Sequence, residues 1–158
     1  MTAIEVAQAV TLEVPARAEH LGLVRTVVTT LASSFAGLEG VRLDDLRLAV
    51  SEACVNAIEA YASLGTPGLP VTIRLRAEPG CIEVEVHDEA GGFDPGELVP
   101  HPPVEAPERL HHERGLGVPL MRALADDADF VAEGGGTTVR LILRERRAIR
   151  SRGRDGDG

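Results

Sequence analysis

Apolar residues along this chain recur at two distinct periods. Leu21, Val24, Val28, Leu31 and Phe35 are three or four residues apart, which puts one buried stripe along a helix. Gly37 and Gly40 end that helix. Ahead of it, Thr11 to Val14 reads as a short first strand closed by Pro15. A second helix is expected from about Leu43 to Ala62, with Leu46, Ala49, Val50, Ala53, Ala57 and Tyr61 as its main apolar face. The stretch Leu64 to Pro70 is punctuated by glycine and proline and predicts a loop. Then the period changes to two. Val71, Ile73 and Leu75 alternate with polar residues, and so do Ile82, Val84 and Val86, with Pro79-Gly80 as the turn of an antiparallel hairpin. Leu116 to Ala125 predicts a third helix, and Phe130-Val-Ala with Thr138 to Leu143 a second hairpin through Gly134, Gly135 and Gly136.

These elements add up to an α+β fold, a two-layer α/β sandwich with a mixed, mostly antiparallel sheet and helices on one face. A chain of 158 residues, 44% of them hydrophobic, fills one ordinary core. Residues 1–143 therefore read as a single domain, and the Arg-rich segment 144–158 as a disordered tail. Gly91 to Arg114 contains Pro95, Pro100, Pro102, Pro103 and Pro107, three histidines and few apolar residues. A loop of that length in a compact domain predicts a mobile lid over a site. His101, His111 and His112 lie in it without a cysteine or carboxylate pattern, so they read as solvated loop residues rather than metal ligands.

No apolar run approaches the roughly 18 to 20 residues of a membrane span, and the opening MTAIEVAQAVTLEV lacks the basic region of a secretory signal. The expectation is a cytoplasmic protein with no membrane contact. Cys54 and Cys81 each fall in an apolar periodic segment and read as buried free thiols. Of the net charge of −9, residues 144–158 hold six arginines against three acids, which leaves −12 on residues 1–143. Such a body repels nucleic acid and attracts a basic protein surface.

All sixteen basic residues are arginine. Without lysine the chain is neither a P-loop protein nor a eukaryotic-type protein kinase, both of which place a lysine on the phosphates. A nucleotide site here has to hold phosphate with backbone N–H groups, a metal ion and arginine.

Four constellations carry candidate chemistry. On the second helix, Asp45, Glu52, Asn56 and Glu59 fall on one face at spacings of seven, four and three. The stripe is either a solvated acidic face or the floor of a groove; Leu48 and Val55 on one edge and Ala49 and Ala53 on the other favour the groove. One turn apart, Glu52 can accept a hydroxyl proton and the Asn56 amide oxygen can ligate Mg²⁺. At a strand end, His87-Asp88-Glu89-Ala90-Gly91-Gly92 suits close approach of a flat ligand whose exocyclic amine Asp88 accepts from, or is a glycine turn with a capping aspartate. Arg114-Gly115-Leu116-Gly117-Val118-Pro119 opens a helix, where free N–H groups and the helix dipole attract phosphate, although a plain loop-to-helix junction reads the same way. Finally, Gly134, Gly135 and Gly136 lead into Thr137 and Thr138, alone no more than a hairpin turn.

Taken in order, SEACVNAIEAY, DEAGGFDP, RGLGVPLMRALADD and GGGTTVRL resemble the GHKL (Bergerat-type) ATP-binding fold of gyrase, histidine kinases and MutL. Within it the chain looks most like the RsbW/SpoIIAB-type anti-sigma kinases, from about Leu12 to Leu143. The resemblance implies a serine/threonine-protein kinase that binds ATP, Mg²⁺ and a sigma factor and phosphorylates an anti-anti-sigma factor of the STAS type, as a homodimer. It makes Glu52 the general base, Asn56 the Mg²⁺ ligand and Asp88 the partner of the adenine amino group. Gly92 would shape the pocket, Gly115 and Gly117 would carry the end of the lid across the phosphates, and Arg114 would assist at the γ-phosphate. Thr138, with Thr137, would hydrogen-bond near the base, and Arg25 would contact a protein partner.

Two positions depart from the family pattern. Ala90 replaces the first glycine of D-x-G-x-G, which is harmless only with negative φ. Asn56-Ala-Ile-Glu-Ala-Tyr61 is one residue shorter than the usual N-A-x-x-H-A-Y, which would displace the helix end toward the lid. These departures motivate a second reading, an anti-sigma module that sequesters its partner without phosphate transfer. A third, a domain detached from a sensor histidine kinase, calls for a phosphoacceptor histidine on its own amphipathic helix; only His20, near a helix start, comes close.

Overall fold

The computed structural model describes residues 7–91 and 116–146. The expected lid from Gly92 onward, with Arg114 and Gly115, and the tail beyond residue 146 lie outside the described residues.

The chain runs β1 (Gln8–Pro15), α1 (Leu21–Ala36), α2 (Val41–Ser63), β2 (Pro70–Glu78), β3 (Cys81–Asp88), α3 (Gly117–Leu124), β4 (Asp127–Glu133) and β5 (Gly136–Arg144). The strands form one sheet in the order β1-β2-β3-β5-β4. Every pairing is antiparallel, so the sheet is wholly antiparallel rather than mixed. The connection through α3 carries the chain past one strand position, so β4 lands on the edge beyond β5. The strand that runs in the same direction as β3 therefore never pairs with it.

Period-two alternation decides the layers. Val71, Ile73, Leu75 and Ala77 of β2, Ile82, Val84 and Val86 of β3, and Val139, Leu141 and Leu143 of β5 are buried on the helix side. They pack under Val24, Val28, Leu31 and Ala32 of α1 and Leu46, Ala49, Val50, Ala53 and Ala57 of α2. The opposite face is polar, with Glu83 paired to Arg140 at 2.8 Å and Glu85 to Arg74 at 3.9 Å. A solvated charged face leaves the two-layer sandwich without need of a third layer.

β1 and β4 extend beyond the short strands read from the sequence. Phe35 is a correction: the helical period puts it in the apolar stripe, yet it is 46% exposed. The last turn of α1 lies level with the β2–β3 turn, where Gly80 N–H donates to the Ala36 carbonyl at 3.0 Å. The sheet ends there, and the core closes instead on Ala32, Ala36 and Leu38. Both cysteines are free. Cys54 is buried, and that burial pushes its thiol up to about 12, which leaves it inert. Cys81 is only half-buried.

Candidate active site

α2 carries the site because its long polar stripe crosses the end of the sheet. Glu52, Asn56 and Glu59 are half-buried along it. The first residue of α3 lies on this stripe: a Cβ on Gly117 would stand 3.2 Å from Asn56 Oδ1 and 3.3 Å from Glu52 Oε2. A side chain there would crowd the acid–amide pair, so the glycine is what lets the start of α3 come this close to α2. No side chain caps α3, so the positive end of its dipole is turned to the same pair. Burial, and secondarily the Glu59 carboxylate, raises the Glu52 pKa above the ordinary glutamate value. That moves Glu52 toward the range in which a carboxylate works as a base.

Asp45 belongs to the stripe by spacing but not by use. Its Oδ2 accepts from Arg42 Nη1 at 3.0 Å, at the far end of the helix. Arg42 itself is 6% exposed and also donates to Asp126, to the Leu124 carbonyl and to the Arg144 carbonyl. It therefore ties the start of α2 to the end of α3 and the end of β5.

At the other end of the groove, Asp88 closes β3, 7% exposed on the helix side. Its Oδ1 accepts from the Ala90 amide at 2.9 Å. Burial raises its pKa, opposed by that amide and by His87. The following turn is held at each residue. Glu89 N–H donates to the Tyr61 hydroxyl at 2.8 Å, and Gly91 N–H donates to the Gly135 carbonyl at 2.5 Å. Gly91 has φ +89°, while no non-glycine residue among the described residues has positive φ. Ala90 thus sits in backbone that alanine adopts without strain, and the departure there leaves the turn intact. The shortened motif does not end the helix early, since α2 continues past Tyr61 to Ser63.

The two threonines separate. Thr137 pairs with Asp88, is 4% exposed and lies on the helix side. Thr138 pairs with His87 on the opposite face, its Oγ1 2.9 Å from His87 Nδ1. Alternation along β5 forbids both from facing the groove, so the structure brings Thr137 to Asp88 and takes Thr138 away. Thr137 shares its parity with Val139, Leu141 and Leu143, a signal present in the sequence. In the sequence Gly136 is only part of a turn. A Cβ there would run into the Asp88 carbonyl oxygen, so Gly136→Ala should shift the end of β3 and lower stability by about 1–3 kcal/mol, measured by thermal melting.

Arg25 stands half-exposed on α1, on a different element from this groove. His20 closes a three-residue 3-10 turn, Ala18–His20, ahead of α1, with Nδ1 3.1 Å from the Pro15 carbonyl oxygen, and not a long amphipathic helix. Among the described residues no group of three or more histidine, cysteine or acidic side chains is arranged to hold a metal, and no helix is long and apolar enough to cross a membrane.

A sandwich of this topology, with an acid–amide pair one turn apart under a helix start and a buried aspartate at a strand end, defines a class of nucleotide-binding domain. Residues 14–143 match the family model described as "Histidine kinase-like ATPase domain", and the chain belongs to that family. Among curated relatives, "Serine-protein kinase RsbW" of Bacillus pumilus (strain SAFR-032) is 31% identical over 149 residues, 90% of this chain and 91% of the relative. The protein of the same name from Bacillus subtilis (strain 168) is 34% identical over 134 residues, 82% of this chain and 81% of that one. Within the family the chain is a serine/threonine-protein kinase of this RsbW group. The fold is shared with the RsbU and RsbW domains of Rv1364c from Mycobacterium tuberculosis, at TM-score 0.61 and 19% identity. That alignment covers 87% of this chain, which spans 32% of the solved one.

Proposed function

We propose that this kinase is an anti-sigma factor that binds ATP and Mg²⁺ in the groove between α2, the start of α3 and the ends of β3 and β5. It transfers the γ-phosphoryl group to a serine or threonine of an anti-anti-sigma factor of the STAS type, and it binds a sigma factor through a surface that includes Arg25. The observation that carries this reading is the placement of Gly117 against Glu52 and Asn56. It sets the uncapped start of α3 directly against a base and a hard amide ligand.

The residues divide the work along α2. Asp88, with Thr137 beside it, receives the exocyclic amine of adenine at one end. Asn56 offers its amide oxygen to the metal ion, a donor suited to Mg²⁺. Bound there, Mg²⁺ supplies charge neutralisation at the phosphate oxygens. Glu52 accepts the proton of the attacking hydroxyl, and the α3 amides face the phosphates. Gly92, Gly115 and Arg114 lie outside the described residues; by the family resemblance Gly92 and Gly115 serve nucleotide binding and Arg114 assists at the γ-phosphate. The acidic body fits a basic partner surface. Two such chains form the working homodimer.

Calorimetric titration with ATP and Mg²⁺ tests the reading. The wild type should bind, and Asn56→Ala should lose the Mg²⁺-dependent part, a weakening of at least about tenfold. A wild type that binds no ATP would overturn the reading and leave a partner-sequestering module. The backbone at Ala90 gives that alternative no support.

A further inference from the structure

The turn after Asp88 is fixed amide by amide, and the three partners come from three places. Ala90 N–H is held by the Asp88 carboxylate itself, and Gly91 N–H by Gly135 in the neighbouring hairpin. Only Glu89 N–H is held from the helix layer, by the Tyr61 hydroxyl at 2.8 Å. That hydroxyl in turn donates to the Pro70 carbonyl at 2.9 Å, where β2 begins. Both roles of the phenolic oxygen are therefore filled, one as acceptor and one as donor. Tyr61 is 1% exposed, so its ring cannot move without opening the core.

Tyr61 follows Asn56 by five residues on the same helix, about 7.5 Å along its axis. We infer that Tyr61 is a positioning residue for recognition of the base: its hydroxyl sets the Asp88 turn at a fixed distance from the helix that bears Glu52 and Asn56. This rests on the ATP reading above and deepens it. A carboxylate that reads an amine by hydrogen bonding has to be placed to within about half an ångström of its acceptor geometry. The Asp88 carboxylate is oriented by Ala90 N–H, and Ala90 lies between the two externally pinned amides. Removing the Tyr61 link leaves the turn attached to the sheet but free relative to α2. The part of the site that holds phosphate, on Asn56 and the start of α3, does not depend on this link. The consequence is specific to the base. Discrimination for the amine should weaken while general nucleotide binding persists.

Tyr61→Phe keeps the ring in the core and deletes only the hydroxyl. The experiment compares Mg²⁺-dependent binding of ATP and of ITP, which carries a carbonyl oxygen in place of the exocyclic amine, to wild type and variant. Amide hydrogen exchange is followed in both proteins. We expect ATP affinity to fall about tenfold in Tyr61→Phe, with ITP affinity changed less than twofold, so that the preference for ATP over ITP falls by at least about fivefold. The Glu89 amide should exchange faster in the variant while the amides of Ile73 and Val84 keep their wild-type protection. If the variant retains the wild-type preference for ATP, the inference is overturned while the ATP reading stands. Equal loss of ATP and ITP, or failure of the variant to fold, would make Tyr61 a core residue only and overturn it as well. A wild type that binds no ATP overturns the inference together with the reading beneath it.

Discussion

Replacing Glu52 by glutamine is expected to slow phosphate transfer by about 10²–10⁴-fold while ATP binding in the presence of Mg²⁺ stays within a few-fold of the wild type. Glutamine fills the same space beside Gly117 and keeps a hydrogen-bonding tip, but it cannot take the hydroxyl proton. Single-turnover transfer of labelled phosphate to the partner protein, with calorimetry for ATP, separates the two effects. Full transfer by the variant would remove Glu52 from the role of base.

The raised Glu52 pKa sets the pH dependence. The base works only when ionised, so transfer should fall as pH is lowered through that raised value, at a higher pH than for an ordinary glutamate. Stability moves the other way. A carboxyl whose pKa is higher in the folded state than in the unfolded one stabilises the fold below the unfolded value, and this contribution is lost as pH rises through the folded one. Ionised Glu52 is therefore a small cost at neutral pH, and Glu52→Gln should melt at or slightly above the wild-type temperature there. An enzyme that keeps such a carboxylate beside a second one trades stability for chemistry.

Arg42→Met should cost about 3 kcal/mol of stability, read from chemical denaturation. In the wild type the guanidinium donates to Asp45 at 3.0 Å, the Leu124 carbonyl at 3.1 Å, Asp126 at 2.5 Å and the Arg144 carbonyl at 3.2 Å. Methionine can cover much of the stem, but it takes this donor from Asp45 and from the Leu124 and Arg144 carbonyl oxygens, and leaves Asp126 with the Arg144 N–H at 2.7 Å. The side chains of Asp45 and Asp126 are 20% and 25% exposed, so water recovers part of the loss, and the lower end of the range for a broken buried pair applies. The damage should reach the site as well. Arg42 fixes the end of α3 whose other end places Gly117 against Glu52 and Asn56, so ATP affinity should fall in Arg42→Met although no contact with nucleotide is removed. A variant with unchanged stability would mean that solvent replaces all four contacts.

Arg42 also shows what a sequence withholds. Apart from Asp45, one helical turn away, its partners stand 82, 84 and 102 residues along the chain. An isolated arginine in the first turn of a helix carries no periodic mark. Tyr61 was legible as a core residue but not as the anchor of the Asp88 turn, because its partner Glu89 lies 28 residues on. Gly136 looked like one turn glycine among three. Its need for a missing Cβ follows only from the β3–β5 pairing that brings it over Asp88.

The sequence by itself determined what depends on local spacing. The 3.6-residue period placed Glu52 and Asn56 on one face of α2, the two-residue period set the buried faces of β2, β3 and β5, and the absence of lysine confined phosphate binding to other means. The family resemblance, too, rests on the four motifs and their order along the chain. Tertiary structure alone decided the contacts between elements: Gly117 against the acid–amide pair, the β3–β5 register that sets Thr137 opposite Asp88, and Asp45 committed to Arg42 instead of the groove. It also decided the exposure of Phe35 beyond the end of the sheet. The physical reason is that backbone periodicity fixes which way a side chain leaves its own element, whereas packing and strand register fix what it meets there.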